Sequence, residues 1–184
     1  MYKRQVFEKY AEVKGGHVKV HNIYFRQEGD KITGESDLVV ANVGGRPLVR
    51  PVLYLNPGLE VTALTGGQGE NLPYTRESQA ILLERALQPG EEILLHVVYE
   101  GKIDEAICFP DFTDEEFHDT RLMSFFRTYH SMFRHGRCFA RVGDDYTLLF
   151  PECLWYPVAV PPVNVNAPLA RQYDSVSYTH LTLP

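Results

Sequence analysis

Cysteine is scarce in this chain: three residues in 184, at Cys108, Cys138 and Cys153. An odd, widely spaced set makes no disulfide framework. Without a C-x-x-C pair it makes no zinc ribbon either. The thiols read as small buried hydrophobes, with one disulfide and a spare thiol as the alternative. Excess positive charge is absent as well. Eighteen Lys and Arg stand against twenty-four Asp and Glu, a net charge of −6. A nucleic-acid partner is therefore not expected, because it needs a basic face to displace counterions from phosphates. Long apolar runs are missing too. Met1 to Gln5 is polar, so no signal peptide is expected. The longest uncharged stretch, Cys153 to Ala170, is broken by Pro157, Pro161, Pro162 and Pro168 and reads as no membrane span. There is no G-x-S-x-G elbow and no Ser/His/Asp constellation. Gly66-Gly67-Gln68-Gly69 lacks the strand–loop–helix setting of a phosphate loop and reads as a turn.

What is present is aromatic and strand-like. Phe, Tyr and Trp make up 12% of the chain, a bias toward pleated, half-buried surfaces. Fourteen Gly and twelve Pro punctuate it with turns. Val6, Tyr10 and Val13 recur on one helical face, so residues 1–16 read as a lead-in helix closed by Gly15-Gly16. Strands are expected from His17 to Gln27, Ile32 to Val43, Leu48 to Leu55, Leu59 to Thr65, Ser78 to Leu87, Ile93 to Tyr99 and Ile103 to Phe109. Ser78 to Leu87 is taken as a strand because Pro89-Gly90 places the strand Ile93 to Tyr99 at hairpin distance. Turns fall at Gly29-Asp30, Gly44 to Pro47 and Asn56-Pro57-Gly58. Thr113-Asp-Glu-Glu116 then forms a capping box, opening a helix over 113–135. Two short strands follow, Cys138 to Val142 and Tyr146 to Phe150. The fold class this predicts is mainly β, a β-sandwich of short strands with one inserted α-helix. Residues 175–184 resemble translated adapter sequence and are set apart from the domain at 17–174; on that reading a fragment cut near Asp174 is expected, with a natural disordered tail as the alternative.

Each candidate for chemistry has a plainer reading beside it. His17 and His21 have the spacing of a zinc pair on a helix, but in an alternating strand they read as solvated histidines. His118, His130 and His135 lie on or just past the expected helix, where His135 suits the helix C-terminus. Asp111, Asp114, Glu115, Glu116 and Asp119 read as a solvated, capped helix start rather than a cation site. With His118, Asp111 is the one seed of an independent enzyme. The stripe Phe125, Phe126, Tyr129 and Phe133 reads as the helix face that covers a sheet. Glu152 stands between a strand and an aromatic-Pro step, where a loop can project it into a cleft; the plain reading is a surface carboxylate.

Leu87-Gln-Pro-Gly-Glu91, followed by Val97-Val-Tyr-Glu-Gly101, resembles the L-x-P-G-E … Y-x-G signature of the N-terminal domain of the aminopeptidase N family, which are zinc metallopeptidases. Asn42, Leu53 to Leu55 and Gly58-Leu-Glu-Val61 are similar to that domain's strand pattern. Phe7-Glu-Lys-Tyr10 and Pro151-Glu-Cys-Leu-Trp-Tyr-Pro157 resemble bacterial proteins in which an ABC-type transporter permease precedes an aminopeptidase-like region. The resemblance covers residues 1–174. It implies a saddle-like, mostly β N-terminal domain that packs on a zinc domain of the same chain and walls a site for a peptide N-terminus. It implies zinc in that absent domain and none here, since no His-Glu dipeptide occurs and the family's G-A-M-E-N loop is missing. This chain alone is then no enzyme. Glu152 matches the place of the residue that binds the substrate α-amine, though Phe-Pro-Glu-Cys stands where the family has Gln-x-Glu-Pro. Membrane attachment through a preceding permease, with an extracytoplasmic position, would follow. A stand-alone β-sandwich module binding protein or glycan is the alternative.

Overall fold

The computed structural model describes residues 2–10, 13, 15–108, 140–160 and 179–182. The expected helix over 113–135, with its aromatic stripe, lies outside them. So do Cys138, His118, His130, His135 and the acidic cluster Asp111 to Asp119. The described chain is mainly β, its sheets antiparallel except where β10 joins, with one α-helix. Helix α1 spans Tyr2–Tyr10; strands are β1 His17–Glu28, β2 Lys31–Ala41, β3 Val52–Tyr54, β4 Leu59–Gly66, β5 Tyr74–Glu77, β6 Ala80–Leu83, β7 Glu92–Gly101, β8 Ala140–Val142, β9 Thr147–Leu149 and β10 Thr179–Thr182. Two 3-10 turns, Glu105–Cys108 and Pro151–Cys153, complete it. The sheets run β10-β1-β2-β7-β4, β3-β6-β5 and β8-β9.

Alternation builds the larger sheet. Ile32, Leu38 and Val40 of β2 and Ile93, Leu95, Val97 and Tyr99 of β7 all point inward and are buried. Opposite them lie Leu53 of β3 and Ile81 and Leu83 of β6, in one continuous core. This is sheet-on-sheet packing, with inner faces interdigitating and outer positions polar. Gly34 of β2 stands in register with Tyr99 of β7. A Cβ there would meet the Tyr99 ring at 2.2 Å, so glycine is what lets the ring lie across the strand.

The smaller sheet is covered on both faces. Val52, Tyr54, Ala80 and Leu82 turn away from the first core and meet Val6 and Phe7 of α1, Ile107 and Leu154. Every residue of β6 is therefore buried, as a strand with two apolar faces requires. That explains one correction. Ala80–Leu83 is a strand, but it does not form a hairpin with β7; it pairs with β3 and β5 in the other sheet. A hairpin with β7 would have left one apolar face in water. Strand β5 was not expected at all, because Tyr74-Thr-Arg-Glu77 carries little apolar periodicity. Its side chains instead close the free edge of β4: Tyr74 Oη donates to Val61 O at 3.3 Å and Arg76 Nη1 to Leu59 O. An edge met this way offers less backbone to another strand.

Three more expectations are corrected. Of the strand expected over Ile103 to Phe109, the described residues, Ile103 to Cys108, form none. Both backbone groups of Asp104 are taken by Asn56, and Asp104 Oδ1 accepts from Ala106 N at 2.9 Å, so the chain curls into the turn Glu105–Cys108. The solvated reading of His21 also fails. Val18 pairs with Val40 but Val20 with Val39, which makes a bulge at Lys19. A bulge re-phases a strand: beyond it His21, Ile23 and Phe25 face the core. The strand expected over Leu48 to Leu55 shrinks to β3, with Leu48 making an isolated bridge to Leu87. Thr179–Thr182, in the segment set apart from the domain, pairs in parallel with His21 to Tyr24 of β1.

Candidate functional site

Glu152 sits in the second 3-10 turn. Phe150 enters it extended, Pro151 supplies a preset φ at the first position, and Leu154 leaves it in the left-handed region with φ 53°. A buried leucine there costs about 1–2 kcal/mol, offset by its surroundings: Leu154 N donates to Pro151 O at 3.0 Å, and its side chain fills the core beneath β3. Cys153 is buried beside it, its thiol on Phe150 O at 2.9 Å.

Asn56 ties this turn to the other one. Its Nδ2 donates to Asp104 O at 3.1 Å and to Cys153 O at 2.6 Å. Its Oδ1 accepts from Gly58 N at 2.8 Å and Asp104 N at 2.9 Å. Its backbone N donates to Leu154 O at 2.8 Å, and its carbonyl accepts from Arg76 Nη2 at 2.8 Å. Fully buried, it uses both amide protons and both lone-pair directions. The sequence showed it only as part of a turn.

The result is a niche of negative character. Burial pushes the Cys153 thiol up to about 12, and Glu152 and Glu105 add to the effect. Cys108 is raised by burial first, then by Cys153, Glu105 and Glu152. Neither thiol is a ready nucleophile. The Tyr156 phenol is raised by burial and then by Cys153 and Glu152. Glu152 is half-buried, and its Oε2 is buried with no hydrogen bond from the described residues. Glu105 was not singled out beforehand, since it fell in an expected strand.

From this turn the chain runs along β3, where Tyr54 and Val158 exchange backbone bonds at 2.7 and 2.9 Å. It also crosses β1 through aromatic rings. Trp155 packs edge-on to Phe25 with centroids 5.7 Å apart, and Tyr156 to His21 at 5.3 Å.

His17 and His21 do not come together as a pair: His17 is half-buried and His21 fully buried. Among the described residues no three His, Cys, Asp or Glu side chains gather as a metal-ligand set. On the outer face of the large sheet His96 Nδ1 meets Asp37 Oδ1 at 2.7 Å. No described helix is long and apolar enough to cross a membrane.

No family model matches the chain, and no curated protein matches it. Solved structures similar to it include a mutant two-domain M1 zinc metallopeptidase bound to L-tryptophan, at 25% identity and a TM-score of 0.42 over 48% of this chain and 21% of that one. The M1 zinc metallopeptidase from Deinococcus radiodurans is similar at 26% identity and a TM-score of 0.41, over 48% and 21%. The chain thus spans about a fifth of the length of the structures it matches.

Proposed function

We propose that this chain is the non-catalytic N-terminal β domain of an aminopeptidase-like protein, walling a site for a peptide N-terminus that a zinc domain completes. The observation that carries the reading is the carboxylate of Glu152, whose buried Oε2 accepts no hydrogen bond from the described residues. A carboxylate partly removed from water and lacking a donor gains strongly from an ammonium, through a charge-assisted hydrogen bond. The motif Leu87-Gln-Pro-Gly-Glu91 supports it in a second way. In this structure it is the turn into β7, where Gln88 N donates to Glu91 Oε2 at 2.7 Å and Gly90 N to Asn42 O at 2.8 Å. The partners in this reading are the zinc domain of the same chain and a peptide with a free α-amine, with a permease region ahead of it in the parent.

Alanine amide and N-acetylalanine amide, titrated into labelled chain and followed by NMR, test the role of Glu152. Shifts around Pro151 to Leu154 with the free amine alone, lost in Glu152→Gln, are expected. Equal shifts with both ligands, or shifts kept in the variant, would remove Glu152 from the site. At the level of the parent, the gene beyond the Asp174 codon is expected to encode H-E-x-x-H and a downstream Glu.

A second reading, a sandwich module binding protein or glycan, rests on Val43 and Val49. They are 70% and 72% exposed on the loop between β2 and β3. A screen against immobilised glycans, lost in Val43→Ser/Val49→Ser, would favour it.

A further inference from the structure

His21 is 0% exposed, and neither ring nitrogen has a hydrogen-bond partner among the described residues. Its ring is met edge-on by Tyr156, whose neighbour Trp155 packs edge-on to Tyr156 at 4.6 Å and to Phe25 at 5.7 Å. Phe25 and His21 both lie on the inner face of β1. Four rings therefore form one ladder, and it fastens the segment from Pro151 to Val158 to that strand. Its last rung is a titratable group whose nitrogens are placed as if permanently neutral. We propose that the His21–Tyr156 contact is an acid-sensitive latch, closed while His21 is neutral and opened by its protonation, which frees the Trp155 segment from β1.

The surroundings leave an imidazolium little relief. From the segment, Tyr156 faces His21, with Glu152 and Cys153 behind it; the Tyr156 phenol is held neutral by burial. From β2 the acidic group is Asp37, next to Leu38, the register partner of His21. It lies on the opposite sheet face, engaged by His96 of β7 at 2.7 Å. From β10 the titratable residue is His180, in register with Asn22. On β1 itself Lys19 is paired with Glu92. Burial accordingly lowers His21 to about 4, against a smaller raising effect of Asp37.

With the latch open, His21 is hydrated and titrates near its ordinary value of 6.5. Above that both forms are neutral and pH does nothing. Between 6.5 and 4 the open form takes a proton that the closed form refuses, so the closed-to-open ratio falls by roughly 300-fold. Below 4 it levels off. The inference stands apart from the amine-binding reading, because it concerns how the segment is attached and not what Glu152 holds.

Trp155 is the sole tryptophan of the chain and reports the segment directly. Its emission and its quenching by acrylamide are followed on the full chain from pH 7.5 to 3.5, with far-UV circular dichroism alongside. A red shift and increased quenching below pH 6.5, ahead of any loss of β signal, is expected. His21→Phe keeps a ring against Tyr156 and should abolish the transition, while Glu152→Gln should retain it. The C2 proton of His21, followed by NMR in the unaltered chain, should titrate together with the emission. An unchanged transition in His21→Phe, a flat emission in the unaltered chain, or emission and β signal lost together would overturn the latch. If His21→Phe fails to fold, the C2 titration decides: proton uptake at a different pH from the emission change rejects it.

Discussion

Strands β2 and β7 pair through ten consecutive positions from Ile32↔Gly101 to Ala41↔Glu92, and every second side chain enters the core. The stretch from Phe150 to Val158 makes one backbone bridge among the described strands, Val158 to Tyr54 of β3. The first region draws its stability from apolar area, spread over many residues and tolerant of small errors. The second draws on a few polar groups, Asn56 above all, and on four aromatic rings. Removing one partner from such a cluster leaves several buried groups unsatisfied at once. Shape is thus distributed in the sheet and concentrated in the segment that carries Glu152.

That contrast can be broken from either side. Leu95→Ala, in the middle of the core, is expected to cost about 2–5 kcal/mol in urea unfolding, with emission of Trp155 and β signal lost in one transition. Asn56→Ala leaves the N–H groups of Gly58 and Asp104 and the carbonyls of Asp104 and Cys153 without their partner. A loss of about 2–4 kcal/mol is expected, but with Trp155 exposed at lower urea than the β signal is lost. Coincident transitions there would mean that the two regions fold as one unit. Gln in place of Asn56 keeps the chemistry but not the reach, and should behave like Ala.

Smaller effects sharpen the comparison. Tyr54 Oη is buried without a hydrogen bond among the described residues, whereas Tyr99 Oη has Ser36 Oγ at 3.5 Å. Tyr54→Phe should therefore be neutral or stabilising by up to about 1 kcal/mol, and Tyr99→Phe should not stabilise. Both phenols are raised by burial above their ordinary value of 10.0. The unfolded chain then loses those protons first, and stability falls as pH rises beyond 10. Tyr54→Phe should make that fall shallower. Last, Lys19→Ala deletes an exposed pair with Glu92 and should change the free energy of urea unfolding by less than about 0.5 kcal/mol.

Much of the sandwich was legible in order. The alternation of Ile32 to Val40 and of Ile93 to Tyr99, and the turns at Gly29-Asp30 and Asn56-Pro57-Gly58, place strands β1, β2, β4 and β7 to within a residue or two. Glu152 drew attention in the sequence by its place between a strand and an aromatic-Pro step, and the structure puts it in the turn Pro151–Cys153. His21 was not legible. Alternation put it outside, and one unpaired residue at Lys19 turned it in. Glu105 was hidden because Ile103-Asp-Glu-Ala-Ile107 looks like a strand until Asn56 takes the Asp104 backbone.

By itself, then, the sequence determined the class of the fold, the core residues of the longest strands and the turns between them. These follow from local rules of period, propensity and backbone freedom. Only the tertiary structure decided that β6 joins β3 and β5 instead of β7, that the segment after Phe150 lies against β1, and that Asn56 draws two distant turns together. Each depends on partners far apart in the chain, such as Asn56 and Cys153 at a separation of 97 residues, and on bulges that shift a register by one. A one-residue slip reverses every side chain beyond it, and no local pattern records where it falls.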